Sequence, residues 1–73
     1  MKQNDVLFNF GMQLKKLRAE RGCSQETMAA HIGLDRAYYA AVEVGKRNVS
    51  LKNINKIAIG FNLSLSDLFK EVR

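Results

Sequence analysis

Seventy-three residues make one small domain spanning 1–73, because a second hydrophobic core would need roughly 50 more. One cysteine (Cys23) excludes an internal disulfide, and with one histidine (His31) it cannot fill a four-ligand zinc site. Twelve Lys and Arg against seven Asp and Glu leave a net charge of +5, and an apolar share of 47% argues against disorder.

The charge surplus is confined to the middle of the chain. Residues 1–14 and residues 57–73 each balance to zero, while residues 15–56 hold nine basic and four acidic side chains. A basic segment inside a folded domain points to a polyanion, with nucleic acid ahead of a membrane surface. The longest unbroken apolar run covers residues 37–42, far short of the roughly 20 residues a membrane helix needs. The N-terminus carries no secretory signal, and with a lone thiol the expected location is the cytoplasm.

There is no proline, so glycines and caps do the punctuation. Over residues 6–21 the apolar positions Leu7, Phe10, Leu14 and Leu17 recur every three or four residues, as one helix face requires. Lys15, Lys16, Arg18 and Arg21 suit the negative pole of that helix, and Gly22 stops it. Gly11 inside it implies a neighbouring backbone packed against that point. A second helix is capped by Ser24, runs over 25–32 with Met28, Ala29 and Ile32 inward, and stops at Gly33. Asp35 caps a third, over 36–44, with Tyr39 and Val42 as its buried pair and Gly45 as its stop. Ser50 caps a fourth, with Leu51, Ile54, Ile57, Ala58 and Phe61 on one face and Asn62 as its end. Ser64 and Asp67 have capping-box spacing and open a short fifth helix that buries Leu68 and Phe69. No run of alternating β-branched residues occurs, so the expected fold is an all-α, compact five-helix domain.

The second and third helices decide the function. They are short and joined by a turn too tight for a hairpin of long helices. A three- or four-residue turn containing Gly throws its helices to roughly 90–120°, the helix-turn-helix geometry. Ala29 is small enough for a close crossing, and Gly33 can take the left-handed turn conformation. Such a unit, here about residues 25–44, presents its second helix to the major groove of double-stranded DNA.

The ordered set Ser24, Gln25, Ala29, Gly33, Leu34, Tyr38, Val42, Glu43, Gly45, Lys46, Arg47 and Asn48 resembles the phage-repressor and Cro-like (XRE-type) helix-turn-helix regulators. Leu14, Leu17 and Arg18 before it, and Leu51, Ile54, Ile57, Ala58 and Phe61 after it, also fit, so the resemblance covers about residues 8–69. Within that family, residues 34–38 are similar to those of controller proteins of restriction–modification systems. The resemblance implies a lambda-repressor-like fold and a sequence-specific regulator of transcription, without enzyme activity and without a cofactor. It also implies that Arg18 and Glu43 form a structural salt bridge between the first and third helices. The chain departs from the family pattern at Tyr39, where Ile or Val is usual. It departs again at Val49, where proline is common, which is expected to leave that loop freer, and at Gly60, where alanine is usual, which weakens the end of the fourth helix.

Base contacts are expected from Asp35, Arg36, Ala37 and Ala41. Arg36 stands two positions after the turn and can fork to a guanine, while Ala41 can touch a thymine methyl. Ala40 and Ala41 offer bases no hydrogen bond, so direct readout is modest. Phosphate contacts are expected from Ser24 and Gln25 at a helix N-terminus, from Tyr38, and from Lys46, Arg47 and Asn48 in the loop. The rival reading is a protein-interaction or antitoxin-like module, which shares this fold.

One such domain reads only about four or five base pairs, so two copies are needed to choose a site. Ile59 and Leu65 are apolar without an intrachain reason. With Leu63 and Val72 they make the expected homodimer interface, in residues 51–72, and a two-fold dimer demands an inverted-repeat operator. About three residues follow the fifth helix, so regulation through concentration and dimerisation is expected rather than a small-molecule effector.

Overall fold

A computed structural model describes residues 5–72. Among them five α-helices follow one another: α1 (Val6–Glu20), α2 (Gln25–Ile32), α3 (Arg36–Glu43), α4 (Leu51–Gly60) and α5 (Leu65–Leu68). Each begins on a short polar side chain that accepts a backbone N–H its own first turn leaves unpaired. Asp5 takes Leu7 N–H, Ser24 takes Thr27, Asp35 takes Tyr38, Ser50 takes Asn53 and Ser64 takes Asp67. The stops are equally local: Gly22, Gly33, Gly45 and Asn62 all have positive φ, the left-handed conformation that ends a helix.

Phe10 and Leu14 of α1, Met28, Ala29 and Ile32 of α2, Tyr39 and Val42 of α3, Ile57 and Ala58 of α4 with its cap residue Phe61, and Leu68 of α5 form one buried cluster. α3 packs on both α1 and α2, and α4 packs on α2 and α5. The third helix is therefore held from two sides. Phe69, the cap residue of α5, stacks on Phe10 with ring centroids 5.1 Å apart, which closes the cluster across the ends of the chain.

Two glycines mark close approaches. A Cβ at Gly11 would fall 2.6 Å from the Val42 carbonyl oxygen and against that of Glu43, so α1 and α3 touch backbone to backbone there. At Gly60 a Cβ would lie 2.5 Å from Ile32 Cγ1 and 3.3 Å from Ile32 Cα. The departure at Gly60 thus allows α4 to press on the end of α2, and is more than a weak point in a helix.

Three sequence expectations need correction. Leu51 is 74% exposed, because it opens α4 one turn before the helix reaches the core at Ile54. α3 ends at Glu43, with Val44 as its cap residue and exposed. Val49 packs against the core and pins the loop that the absence of proline was expected to free.

Candidate nucleic-acid interface

The turn between α2 and α3 is built on one carbonyl. Gly33 N–H and Leu34 N–H both donate to Ala29 O at 2.9 Å, and Gly33 takes φ 90° to allow it. Lys56 Nζ, reaching from α4, donates to Gly33 O at 3.4 Å. Ala29 on α2 and Val42 on α3 are both almost fully buried in the shared core.

At the far end of α3 the tie is ionic. The Glu43 side chain is 1% exposed, and its two oxygens receive three donors. Arg18 Nε donates to Oε2 at 2.7 Å, Arg18 Nη2 to Oε1 at 3.1 Å, and Gln25 Nε2 to Oε1 at 2.9 Å. The third nitrogen of Arg18 donates to Cys23 O at 2.8 Å, just before α2. Burial pushes the Glu43 carboxyl up, but the hydrogen bonds from Arg18 and Gln25 outweigh it and hold the carboxyl below the usual range. The hydrogen bond to Glu43 raises the Arg18 guanidinium further. One carboxylate thus joins α1, α2 and α3. Beside it Tyr39 is fully buried, and burial drives its phenol far above the ordinary value. Glu43 is near enough to hold that proton electrostatically, while no group among the described residues meets the phenol oxygen in hydrogen-bonding geometry.

The outer surface of α3 is different in kind. Arg36 and Ala37 are exposed and Ala40 and Ala41 half-buried, so the helix shows small side chains and one long cation. Gln25, Asp35, Arg36, Ala37 and Ala40 line an open depression of about 500 Å³ where α2 and α3 begin. On the other flank the Arg47 guanidinium lies 4.9 Å from the Tyr38 ring centroid, which brings the 46–48 loop against α3. Lys46, Arg47 and Asn48 are all exposed.

Residues 14–68 match the family described as Helix-turn-helix. The chain belongs to that family. Control protein C.MunI of a Mycoplasma species is 53% identical to it over 70 residues, 94% of this chain and 95% of that protein. The crystal structure of the restriction–modification controller protein C.AhdI from Aeromonas hydrophila is similar with a TM-score of 0.83 at 46% identity. That match covers 92% of this chain and all of the other. The controller protein C.Esp1396I, solved as a tetramer in complex with its natural 35 base-pair operator, gives a TM-score of 0.82 at 32% identity. There 89% of this chain and 86% of that one are covered. The family is one of transcriptional regulators, not of enzymes.

The structure brings residues expected from the sequence to contact DNA together in two places. Asp35, Arg36 and Ala37 stand together at the start of α3 with Gln25 close by. Tyr38 and Arg47 stand together on the other flank. Ser24 and Asp35 are occupied locally: Ser24 Oγ donates to Thr27 Oγ1 at 2.9 Å, and the Asp35 carboxylate accepts from Tyr38 N at 3.1 Å. Gln25 spends one amide hydrogen on Glu43. That bond, and the one from Asn53 Nδ2 to Tyr38 Oη at 3.1 Å, have no signature in the sequence. Each joins residues of different helices at separations that no helical spacing encodes.

Among the described residues no helix is long and apolar enough to cross a membrane. Cys23 is half-buried, with Sγ 3.8 Å from Arg21 O. Arg21 itself caps the far end of α4, donating to Phe61 O at 2.6 Å and lying 5.0 Å from the Phe61 ring centroid.

Proposed function

We propose that this chain is a sequence-specific DNA-binding regulator of transcription that acts as a homodimer on an inverted-repeat operator, with the role of a restriction–modification controller protein. One observation carries it: a recognition helix locked from behind by Glu43 and Tyr39, and exposing Arg36 and Ala37 beside a basic loop. The likeness to a controller protein solved on its operator supports the same reading.

In this reading α3 enters the major groove, with Asp35, Arg36, Ala37 and Ala41 toward base edges. Phosphates are met by Ser24 and Gln25 on one side, and by Tyr38, Lys46, Arg47 and Asn48 on the other. Because Ser24 and Asp35 are engaged as caps, the backbone N–H groups beside Ser24 and the free face of Asp35 are what they offer. Arg36 therefore carries most of the direct discrimination. In this reading the protein works in the cytoplasm.

Residues 51–72 supply the second half of the function. Ile59 is 69% and Leu65 41% exposed, while Leu63 and Val72 are partly buried against the core. Pairing these surfaces about a two-fold axis sets two recognition helices about 34 Å apart, one helical turn of DNA. Selection of bound duplexes from a random DNA pool by the purified protein tests the reading. An inverted repeat should emerge, and its binding should weaken steeply with salt. Failure to retain any duplex would leave the protein-interaction module as the better description.

A further inference from the structure

The bond between Asn53 and Tyr38 belongs to no role described so far. Asn53 lies in the first turn of α4, where its backbone N–H is held by the Ser50 cap at 3.1 Å. From that fixed point its Nδ2 donates to Tyr38 Oη, also at 3.1 Å. Arg47 covers the Tyr38 ring from the loop between them. Three consecutive elements of the chain thus converge on one half-buried phenol.

The chemistry of that oxygen decides what it can do. A tyrosine hydroxyl has one proton to donate and lone pairs to accept with. A backbone phosphate has only acceptors, so a hydroxyl that binds it must donate. A neighbour that took the proton would disable the contact, whereas a neighbour that donates leaves the proton free. Asn53 is of the second kind. We propose that Asn53 is a positioning residue for DNA binding: by donating to Tyr38 Oη it fixes the hydroxyl as an acceptor on the protein side and directs its proton to a backbone phosphate. Arg47 reinforces the arrangement by holding the ring and adding positive charge at the same point. This rests on the DNA-binding reading above.

A double-mutant cycle on Tyr38→Phe and Asn53→Ala tests it, read as affinity for a random-sequence duplex of about 30 base pairs, three helical turns. A random duplex suits the question because phosphate contacts are independent of sequence. Loss of one hydrogen bond weakens binding about fivefold, so each single variant should fall by about that factor. The double variant should bind no worse than Tyr38→Phe alone, because Asn53 acts only through the hydroxyl. Thermal unfolding of Asn53→Ala should stay near that of the unchanged protein, which separates positioning from a purely structural role. Losses that multiply in the double variant, or full affinity in Asn53→Ala, would overturn the assignment and leave DNA binding itself standing. An unchanged protein that does not bind the duplex at all would overturn both.

Discussion

Arg18 Nε and Glu43 Oε2 meet at 2.7 Å across 25 residues of sequence, and the acidic partner has almost no solvent contact. A buried carboxylate without its cation is strongly destabilising. Arg18→Ala should therefore lower stability by about 3–5 kcal/mol, measured by urea unfolding. Replacing both partners with apolar residues, Arg18→Met with Glu43→Leu, should cost less than Arg18→Ala, since no charge is then stranded. An Arg18→Ala variant within experimental error of the parent would show the pair to be dispensable.

The same carboxylate sets a pH dependence. Its folded value lies below the ordinary 4.5, so on acidification the unfolded chain takes up the proton first. The contribution is fully present above the ordinary carboxylate range and is lost as pH falls through the lowered value of Glu43. Arg18 stays charged throughout and adds no slope of its own. Unfolding curves from about pH 7 down to about pH 3 should lose stability in that window, and Glu43→Gln should flatten this part of the profile. An unchanged profile in Glu43→Gln would assign the acid sensitivity to other carboxylates.

Gly11 offers a test of the α1–α3 contact that involves no charge. A methyl group there would meet two backbone carbonyls, which cannot rotate away. Gly11→Ala should cost about 1–3 kcal/mol or more, despite the better helix propensity of alanine. Gly22→Ala makes the useful comparison, because nothing surrounds that position and only its φ of +66° opposes the change. It should cost about 1 kcal/mol. The order of the two melting temperatures checks the contact.

Readout and anchoring should separate between two arginines. Arg36→Ala should weaken binding to the selected operator by about 1–3 kcal/mol and binding to random DNA far less. Arg47→Ala should weaken both alike and reduce the salt slope by about one unit. Equal losses on both duplexes for Arg36→Ala would remove it from the base-reading set.

Dimerisation has a single-site test. Leu65→Glu would set like charges across the proposed two-fold axis while leaving the buried Leu68 untouched. The variant should sediment as a folded monomer and lose operator affinity. A dimer of undiminished strength would move the interface away from α5.

The fold was legible where its causes are local. Ser24, Asp35, Ser50 and Ser64 cap their helices as their positions foretell, and Gly33 and Asn62 stop theirs with positive φ. The Arg18–Glu43 bridge was legible for another reason, through the resemblance to the helix-turn-helix regulators. What escaped depends on how helices meet. Leu51 has the right spacing for the α4 face, but spacing cannot say where the core ends. Gly60 reads as a flaw until Ile32 is seen beside it. Gln25 and Asn53 are polar residues near helix starts, and only the assembled structure shows whose oxygen each one serves.

The division of labour along α3 bears on how such a protein acquires new targets. Tyr39, Val42 and Glu43 face inward and answer to the rest of the molecule, while Arg36 and Ala37 face outward and answer to none of it. Because Glu43 is claimed by α1 as well as α2, the two-helix unit is no transferable cassette; cut from α1, it would carry a stranded charge. The exposed positions, by contrast, are free to drift. In the proposed reading, recognition diversifies by changing those few side chains on an unaltered frame, so a gene duplicate is able to explore new sites without first surviving a loss of folding.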